Sequence, residues 1–349
     1  MSYSHLSREE LIPVIERRAC ANRVPVIFHY LVYPESFGEN AGLVRNIMGE
    51  YPQDAQVIVL NMPEVFTAPI DDPFFKWIFY DVPDSDQQRV AYDARVAIDD
   101  FDKLDEIIEH FPNPLYPGIF SNDVPDDGRY RLGYWWHFLF ERHWQLRGME
   151  NALMDYYTDP EKVHILFRKL TEFYKEVIIK GRKEYKLDGI FVTDDLGMQT
   201  GPFFSPEIFD KFFSPYYREI VDTVHSLGMH FWLHSCGCIE PFLSRLIEVG
   251  VDVIHPIQKY TMDERAISKK YGGDICIWAG FDVQRIIPWG TAQGVRDEVK
   301  FMIDTYFRKN GGFMLASGNA IQSDCRIDSF IALHEEMYRY GTQKAQTSL

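Results

Sequence analysis

Histidine and cysteine, two residue types that bind zinc, follow predicted strands of this sequence. His234 and Cys236 are two residues apart after an apolar run, so in an extended backbone their side chains point to one side. Cys325 follows the last predicted strand, Phe313 to Ala316. A histidine with two thiolates is a common zinc donor set, with a fourth position open in catalytic sites. We predict a zinc site formed by His234, Cys236 and Cys325.

The cysteines of this sequence also have a structural interpretation. Buried cysteines are more often small hydrophobic residues than ligands. The positions after strands favour ligands here, and Gly237 lets the backbone turn directly after Cys236. Cys238 is a rival ligand, but it is expected to enter the next helix. Cys20 and Cys276 fall within a helix and a strand and are interpreted as core residues.

Asp194 and Asp195 follow the predicted strand Gly189 to Thr193. Adjacent acids after a strand can simply cap a loop. Two carboxylates close together at the end of a strand can also perturb each other's pKa and transfer protons. We predict that the pair is catalytic, with at least one member acting directly. His255, Gln258 and Asp282 lie at further strand ends and are weaker candidates for substrate binding, for which a structural role is equally expected.

Trp135, Trp136 and Phe138 belong to a run of aromatic residues from Tyr134 onward. Such clusters usually form core. The alternative is a wall of the substrate pocket, because aromatic faces attract cations and stack on rings. Trp135 and Trp136 are therefore retained as candidate substrate-binding residues.

The elements that would position these residues alternate between strand and helix. Strands are predicted at Gly189 to Thr193, His230 to Leu233 and Val251 to Ile257, with helices between them. This order implies parallel strands with crossover helices, whose carboxyl ends face one rim. Val24 to Val32 is the expected first strand, after a helix capped by Ser7 and Glu10. We predict a single domain over residues 1–349, a (β/α)8 TIM barrel with an N-terminal helical extension.

Composition narrows the classes of partner and the compartment. The 36 basic and 52 acidic residues give a net charge of −16, which disfavours binding to nucleic acid or an anionic membrane surface. The first residues lack an apolar signal core and no apolar run approaches a membrane span, so a cytoplasmic protein is expected. The odd number of cysteines, five, does not suggest a disulfide framework. A homodimer is an open alternative to a monomer.

Three blocks of the sequence carry a family resemblance. They read LRGMENALMDYYTDPEKV, TDDLGMQTGPFFSPEIFDKFFSPYY and GMHFWLHSCGCIEPFLSRLIEVGVDVIHPIQ. These blocks resemble the uroporphyrinogen decarboxylase superfamily, and the likeness extends from about Gly118 onward. The superfamily contains metal-free decarboxylases, which hold a carboxylated tetrapyrrole with N-terminal arginines. It also contains corrinoid-dependent methyltransferases, with zinc bound by His-x-Cys and a distant Cys.

The chain departs from the decarboxylases, since Val24 to Gly38 contains no Arg or Lys. Its His234, Cys236 and Cys325 fit the methyltransferase branch. That resemblance implies methyl transfer between a methylated or methoxylated small substrate, or a thiol, and the cobalt of a corrinoid (cobalamin). The chain lacks an evident DxHxxG motif, so a partner protein is expected to carry the corrinoid.

Of the two directions of transfer, demethylation of the substrate is favoured, because Asp194 and Asp195 could protonate a leaving oxygen or nitrogen. Two alternatives differ in class. One is a metal-free decarboxylase acting on another carboxylated substrate. The other is a non-catalytic barrel that binds a ligand.

Overall fold

Seven parallel strands, adjacent in chain order, form one sheet that carries the polar strand ends. The structure is a computed structural model, and it describes residues 3–78, 96–120 and 124–347. The strands are β1 (Ala55–Val59), β2 (Tyr130–Trp135), β3 (Gly189–Thr193), β4 (His230–His234), β5 (Val253–His255), β6 (Cys276–Phe281) and β7 (Phe313–Ser317). The predicted parallel α/β fold is confirmed.

Helices connect the strands in the described residues. The α-helices are α1 (Arg8–Ile15), α2 (Ala41–Glu50), α3 (Leu104–Glu109), α4 (Phe140–Arg147), α5 (Met149–Thr158), α6 (Pro160–Tyr185), α7 (Ser214–Ser226), α8 (Glu240–Glu248), α9 (Glu264–Tyr271), α10 (Ile286–Trp289), α11 (Ala292–Tyr306) and α12 (Ile327–Gln346). A short α turn, Pro206–Ile208, and a π turn, Phe209–Phe213, lead directly into α7. The N-terminal helix has the predicted capping box, in which Ser7 and Glu10 bond each other's backbone N–H groups.

The eighth position of the barrel is not a strand. Val26 makes a single bridge to Leu315 of β7, and the chain then turns into a 3-10 helix at His29–Leu31. On the side of β1, the Val26 N–H donates to the Asp54 carboxylate at 2.7 Å. The backbone N–H of Asp54 donates to the Val26 carbonyl oxygen. The prediction of a strand over Val24 to Val32 is therefore wrong. Pro25 offers no N–H for a ladder, and the helical turn ends any extension.

The closed eight-stranded barrel of the sequence prediction is accordingly realised as a curled seven-stranded sheet, joined at its seam by these isolated bonds. A buried ion pair between Arg23 and Asp54 fixes that seam, with Asp54 0% exposed. The N–H of Leu6, which precedes α1, also bonds Asp54 at 2.7 Å. The segment before β1 is thus held by the Asp54 carboxylate and by isolated backbone bonds to β7, rather than by a strand ladder.

Aromatic side chains fill the inside of the curled sheet. Trp278 contacts the rings of Phe191 and Trp232 at centroid distances of 5.1 and 5.2 Å. The centroid of the His255 ring lies 4.4 Å from that of Trp278, at the carboxyl end of β5. This packing gives the residues at the carboxyl rim a rigid floor.

Every helix in the described part of the chain is too short or too polar to span a bilayer. The helix predicted over Thr291 to Asn310 is shorter in the structure, since α11 ends at Tyr306.

Candidate metal site

Three side chains meet where β3 and β4 end. Within the described residues, Asp195, His234 and Cys236 form the group of potential metal donors, with one donor atom from each lying within 4.8 Å of the others. The His234 Nε2 atom is 3.2 Å from Cys236 Sγ and 3.6 Å from Asp195 Oδ1. For metal bonds of about 2.0–2.3 Å, the edges of a tetrahedron are roughly 3.3–3.7 Å long. The separation between His234 and Asp195 lies within this range, and that between His234 and Cys236 is about 0.1 Å below it, so both are close to the spacing of tetrahedral zinc donors.

A second histidine fixes which nitrogen of His234 faces this group. His255 Nε2 lies 2.9 Å from the Ser317 carbonyl oxygen, which can only accept, so this nitrogen carries the proton. Burial lowers the pKa of His255 well below its usual value, so the ring is neutral and its Nδ1 accepts. That atom lies 2.7 Å from His234 Nδ1, which must then donate. Burial likewise lowers the pKa of His234, against the opposing charge of Asp195. Its Nε2 lone pair is therefore directed toward Cys236 and Asp195.

Hydrogen bonds to the backbone fix the loop that carries Cys236. The Cys236 N–H donates to Asp195 Oδ1 at 2.7 Å, and the Gly237 N–H donates to Gln258 Oε1 at 2.6 Å. Gly237 has a φ of +84°, and an added Cβ there would lie 2.2 Å from the Gly197 carbonyl oxygen. Close backbone approach at these two glycines thus sets the position of the thiol beside Asp195.

The thiol of Cys236 is in an unfavourable environment for a bare thiolate. Burial raises its pKa well above the usual value, and the charges of Asp195 and Glu141 add to the rise. A bound cation would reverse this preference, because a coordinating thiol is deprotonated. The donor chemistry therefore fits a metal ion better than a free nucleophile.

The two adjacent acids after β3 have different environments. Asp194 is buried and accepts hydrogen bonds from the Glu141 N–H at 2.9 Å and the Tyr217 hydroxyl at 2.6 Å. It therefore anchors the first turn of α4, and burial raises its pKa to about 6. Asp195 instead faces the donor group, with its side chain 39% exposed. Of the predicted catalytic pair, the structure places only Asp195 at the donor atoms.

The three residues predicted to bind substrate at further strand ends differ in their surroundings. His255 is buried behind His234 and contacts only protein, whereas Gln258 bonds the Cys236 loop. Asp282 accepts the N–H groups of Gln284 and Ile286 at 2.9 and 3.1 Å and so caps its own turn. Both Asp282 and Gln258 also line a small cavity beside Cys236.

Cys325 is not a member of the donor group found among the described residues. Its thiol lies 3.5 Å from the Arg326 carbonyl oxygen, and burial raises its pKa to about 12. The segment before it is held elsewhere, since the Ile321 N–H bonds the Leu31 carbonyl at 3.1 Å. Ligation by Cys325 stays a prediction, and the structure offers Asp195 as the third donor.

Trp135 and Trp136 line one larger cavity at the ends of β1 and β2. Trp135 is buried, whereas Trp136 is 40% exposed, and its ring lies 6.5 Å from that of His234. Trp136 therefore lies both in the lining of this cavity and near the donor group, although the three donor residues do not line the cavity themselves. Phe138 is buried in the core and is not among the residues lining this cavity.

Two buried charged residues near the site were not singled out from the sequence. Glu141 accepts a hydrogen bond from the Thr193 hydroxyl at 2.5 Å, and burial, with the charges of Asp195 and Asp194, raises its pKa well above the usual value. Arg142 lines the larger cavity. Both lie in α4, which follows the aromatic run. Charged residues soon after the end of a strand were the feature of the sequence that could have identified them.

The fold and the donor group define a parallel α/β protein with a candidate metal site at the carboxyl ends of its strands. The sequence profile of the uroporphyrinogen decarboxylase (URO-D) family matches residues 144–340, more than half of the chain. The chain therefore belongs to the uroporphyrinogen decarboxylase family, which confirms the predicted superfamily. The matched range contains the donor group and Cys325.

Solved structures agree with the fold. A methyltransferase from Methanosarcina mazei superposes with a TM-score of 0.57 at 14% identity, covering 96% of this chain and 98% of that one. A GH27 β-L-arabinopyranosidase from Geobacillus stearothermophilus gives a TM-score of 0.34 at 8% identity, covering 93% and 78%, which is too low to bear on the argument. At these identities the likeness concerns the fold alone. A comparison with curated proteins gave no significant match.

Proposed function

We propose that this chain is a zinc-dependent methyltransferase that works with a corrinoid carried by a separate protein. The observation that supports this most directly is the donor group of His234, Cys236 and Asp195, with the lone pair of His234 held toward the other two. Family membership supports a methyltransferase as one of the activities known on this scaffold, and the Methanosarcina mazei protein of the same fold is named a methyltransferase.

The chain's own residues divide the work. His234, Cys236 and Asp195 would hold the ion, and His255 and Gln258 would keep the first two in place. Bound zinc would supply Lewis acidity, which lowers the pKa of a coordinated thiol or polarises a leaving oxygen. Cys325 is proposed as an additional ligand that joins when the metal binds.

The demethylase direction is the preferred form of the proposal. A cavity of about 610 Å³ has Trp136, a neighbour of His234, in its lining, and its volume lies within the range of about 300–1,000 Å³ usual for small-molecule sites. Trp135 and Trp136 would hold the body of the methyl donor there. Asp195, at 3.6 Å from His234 Nε2, would bind the metal ion or protonate the leaving group of the methyl donor. The partner's corrinoid would approach from the open rim.

Metal analysis of the purified protein tests the proposal. Wild type is expected to contain one zinc per chain, which Cys236→Ser and Asp195→Asn lose or bind weakly. Cys238→Ser is the matched control, because Cys238 lies two residues along the same loop but outside the donor group. Loss of zinc in Cys325→Ser would establish Cys325 as a ligand.

Full zinc content in Cys236→Ser would contradict the proposed site. Turnover that survives complete removal of metal by a chelator would contradict zinc dependence and favour the metal-free decarboxylase instead.

A further inference from the structure

The cavity beside the donor group has an apolar wall and a cationic end. Phe75, Tyr116 and Trp135 belong to the wall, with Trp136 at the side of the donor group. Arg142 of α4 lines the same cavity and is 3% exposed. Glu64, an acid in the lining, is exposed and does not form an ion pair with Arg142. An apolar body with one charged group would match this distribution.

Arg142 is a buried cation with polar and aromatic neighbours. Its guanidinium bonds the Gln145 side-chain oxygen and lies 4.8 Å above the Trp77 ring. The phenol oxygen of Tyr174 also accepts a hydrogen bond from Arg142, and Tyr174 donates its own proton to the Phe138 carbonyl at 2.9 Å. Burial, and then the charge of Arg142, lower the pKa of His137 to about 3, so this imidazole is neutral as well. Among the described residues no carboxylate pairs with Arg142.

The other buried arginines in the described part of the chain each bond several acceptors, whereas the Nε–H of the half-buried Arg308 has no partner. Arg147 bonds both oxygens of Asp155 at 2.8 Å, and Arg23 bonds both oxygens of Asp54. Arg131 has three oxygen acceptors for its side chain, none of them ionised. By contrast, the Nε–H of Arg142 is buried without a partner. An unpaired buried charge is costly, so such groups normally have a counter-charge.

A second donor in the same lining is also unpaired. The indole Nε1–H of Trp135 is buried and has no hydrogen-bond partner. Indole and guanidinium nitrogens can only donate, and neither offers an acceptor to a ligand. Arg142 thus lines the cavity as a cation without a carboxylate partner among the described residues, and a carboxylate bound there would supply both the counter-charge and hydrogen-bond acceptors.

We infer that Arg142 and Trp135 bind the carboxylate of a small organic acid, whose apolar body lies along the aromatic wall toward Trp136 and the donor group. The description of that acid as the methyl donor rests on the proposed methyl transfer, whereas the anion site itself does not. Trp136, 6.5 Å from the His234 ring, would separate the carboxylate end of the ligand from the reacting end.

Calorimetric titration with 4-methoxybenzoate and with the uncharged 4-methoxybenzamide tests this site. The acid and the amide have nearly the same shape, so their difference in affinity reports the charge. We expect wild type to bind the acid on the order of 10- to 100-fold more tightly, the size of a buried hydrogen bond to a charged group. Arg142→Met should lose this preference, and Trp135→Phe should weaken acid binding by about 3- to 10-fold.

Arg168→Met is the matched control, because Arg168 lies on the exposed side of α6 and pairs with Glu219. Thermal unfolding verifies folding. Arg142→Met should unfold no earlier than wild type, since an apolar residue of similar length replaces an unpaired cation.

The inference is overturned if neither benzoate nor 4-methoxybenzoate binds at millimolar concentration, or if wild type does not distinguish acid from amide. It is also overturned if Arg142→Met retains wild-type affinity for the acid. The titration uses neither metal nor corrinoid, so its failure leaves the zinc content unaffected. Conversely, purified protein that contains no zinc but binds the acid through Arg142 would contradict the proposed zinc site and leave this inference standing.

Discussion

Replacing His255 with leucine should weaken metal binding, although His255 is not itself one of the three donors. The substitution leaves the Nδ1–H of His234 and the Ser317 carbonyl oxygen without their present partner. At about 1–3 kcal/mol for each unpaired buried group, the free energy of unfolding should fall by roughly 2–6 kcal/mol. Without its partner, His234 can also place its proton on Nε2, where the lone pair is needed.

The expected loss of zinc affinity in His255→Leu is about 10- to 100-fold, the usual cost of removing a residue that orients a ligating histidine. Competition with a chromophoric chelator measures the affinity, and urea unfolding of the metal-free protein measures the stability.

His334→Leu is a matched control. His334 is equally buried, with Nε2 at 3.2 Å from His29 Nε2 and Nδ1 at 2.9 Å from the Phe330 carbonyl oxygen. It contacts none of the three donors. His334→Leu should therefore lose stability but not zinc affinity. The reasoning fails if folded His255→Leu binds zinc as tightly as wild type, or if His334→Leu loses as much affinity.

Two further predictions concern stability. Gly237→Ala should be destabilised by more than about 2 kcal/mol, since its Cβ would meet the Gly197 carbonyl at 2.2 Å, whereas Gly128→Ala, with a similar φ of +87° and open space, should lose only about 1 kcal/mol. Comparable losses in urea unfolding would contradict a role for the contact. The Asp252 hydrogen bond raises the pKa of His225 above its ordinary 6.5. This stabilisation is therefore complete below pH 6.5 and is lost as the pH rises through the higher folded pKa. His225 is partly exposed, so the loss should stay under about 1 kcal/mol. Wild type should exceed His225→Gln in unfolding free energy at pH 5.5 by more than at pH 8.5, and a constant difference would refute the assignment.

The alternation of strands and helices could be predicted well from the sequence, because strand and helix periods depend on neighbouring residues. The same local rule placed His234 and Cys236 on one side of a chain end, and the structure brings them to 3.2 Å. Its limit is visible at Val24 to Val32. The apolar pattern indicated a strand, but Pro25 and the helical turn at His29–Leu31 prevent a ladder.

Adjacent residues with the same chemistry were not distinguishable from the sequence. Asp194 and Asp195 differ because one reaches back to the first turn of α4 and the other faces β4. Which residue is the third donor depends on which chain segments approach the end of β4, and the structure places Asp195 there.

The sequence by itself therefore determined the fold class, the rim on which the polar residues lie, and the pair formed by His234 and Cys236. Only the tertiary structure decided that His255 orients His234, and that Arg142 lines a cavity without a carboxylate partner among the residues that the structure describes. The physical reason is the range of the interactions. Strand and helix patterns are set within a few residues. The hydrogen bonds of His255 instead join it to His234 and Ser317, which are 21 and 62 residues away in the chain.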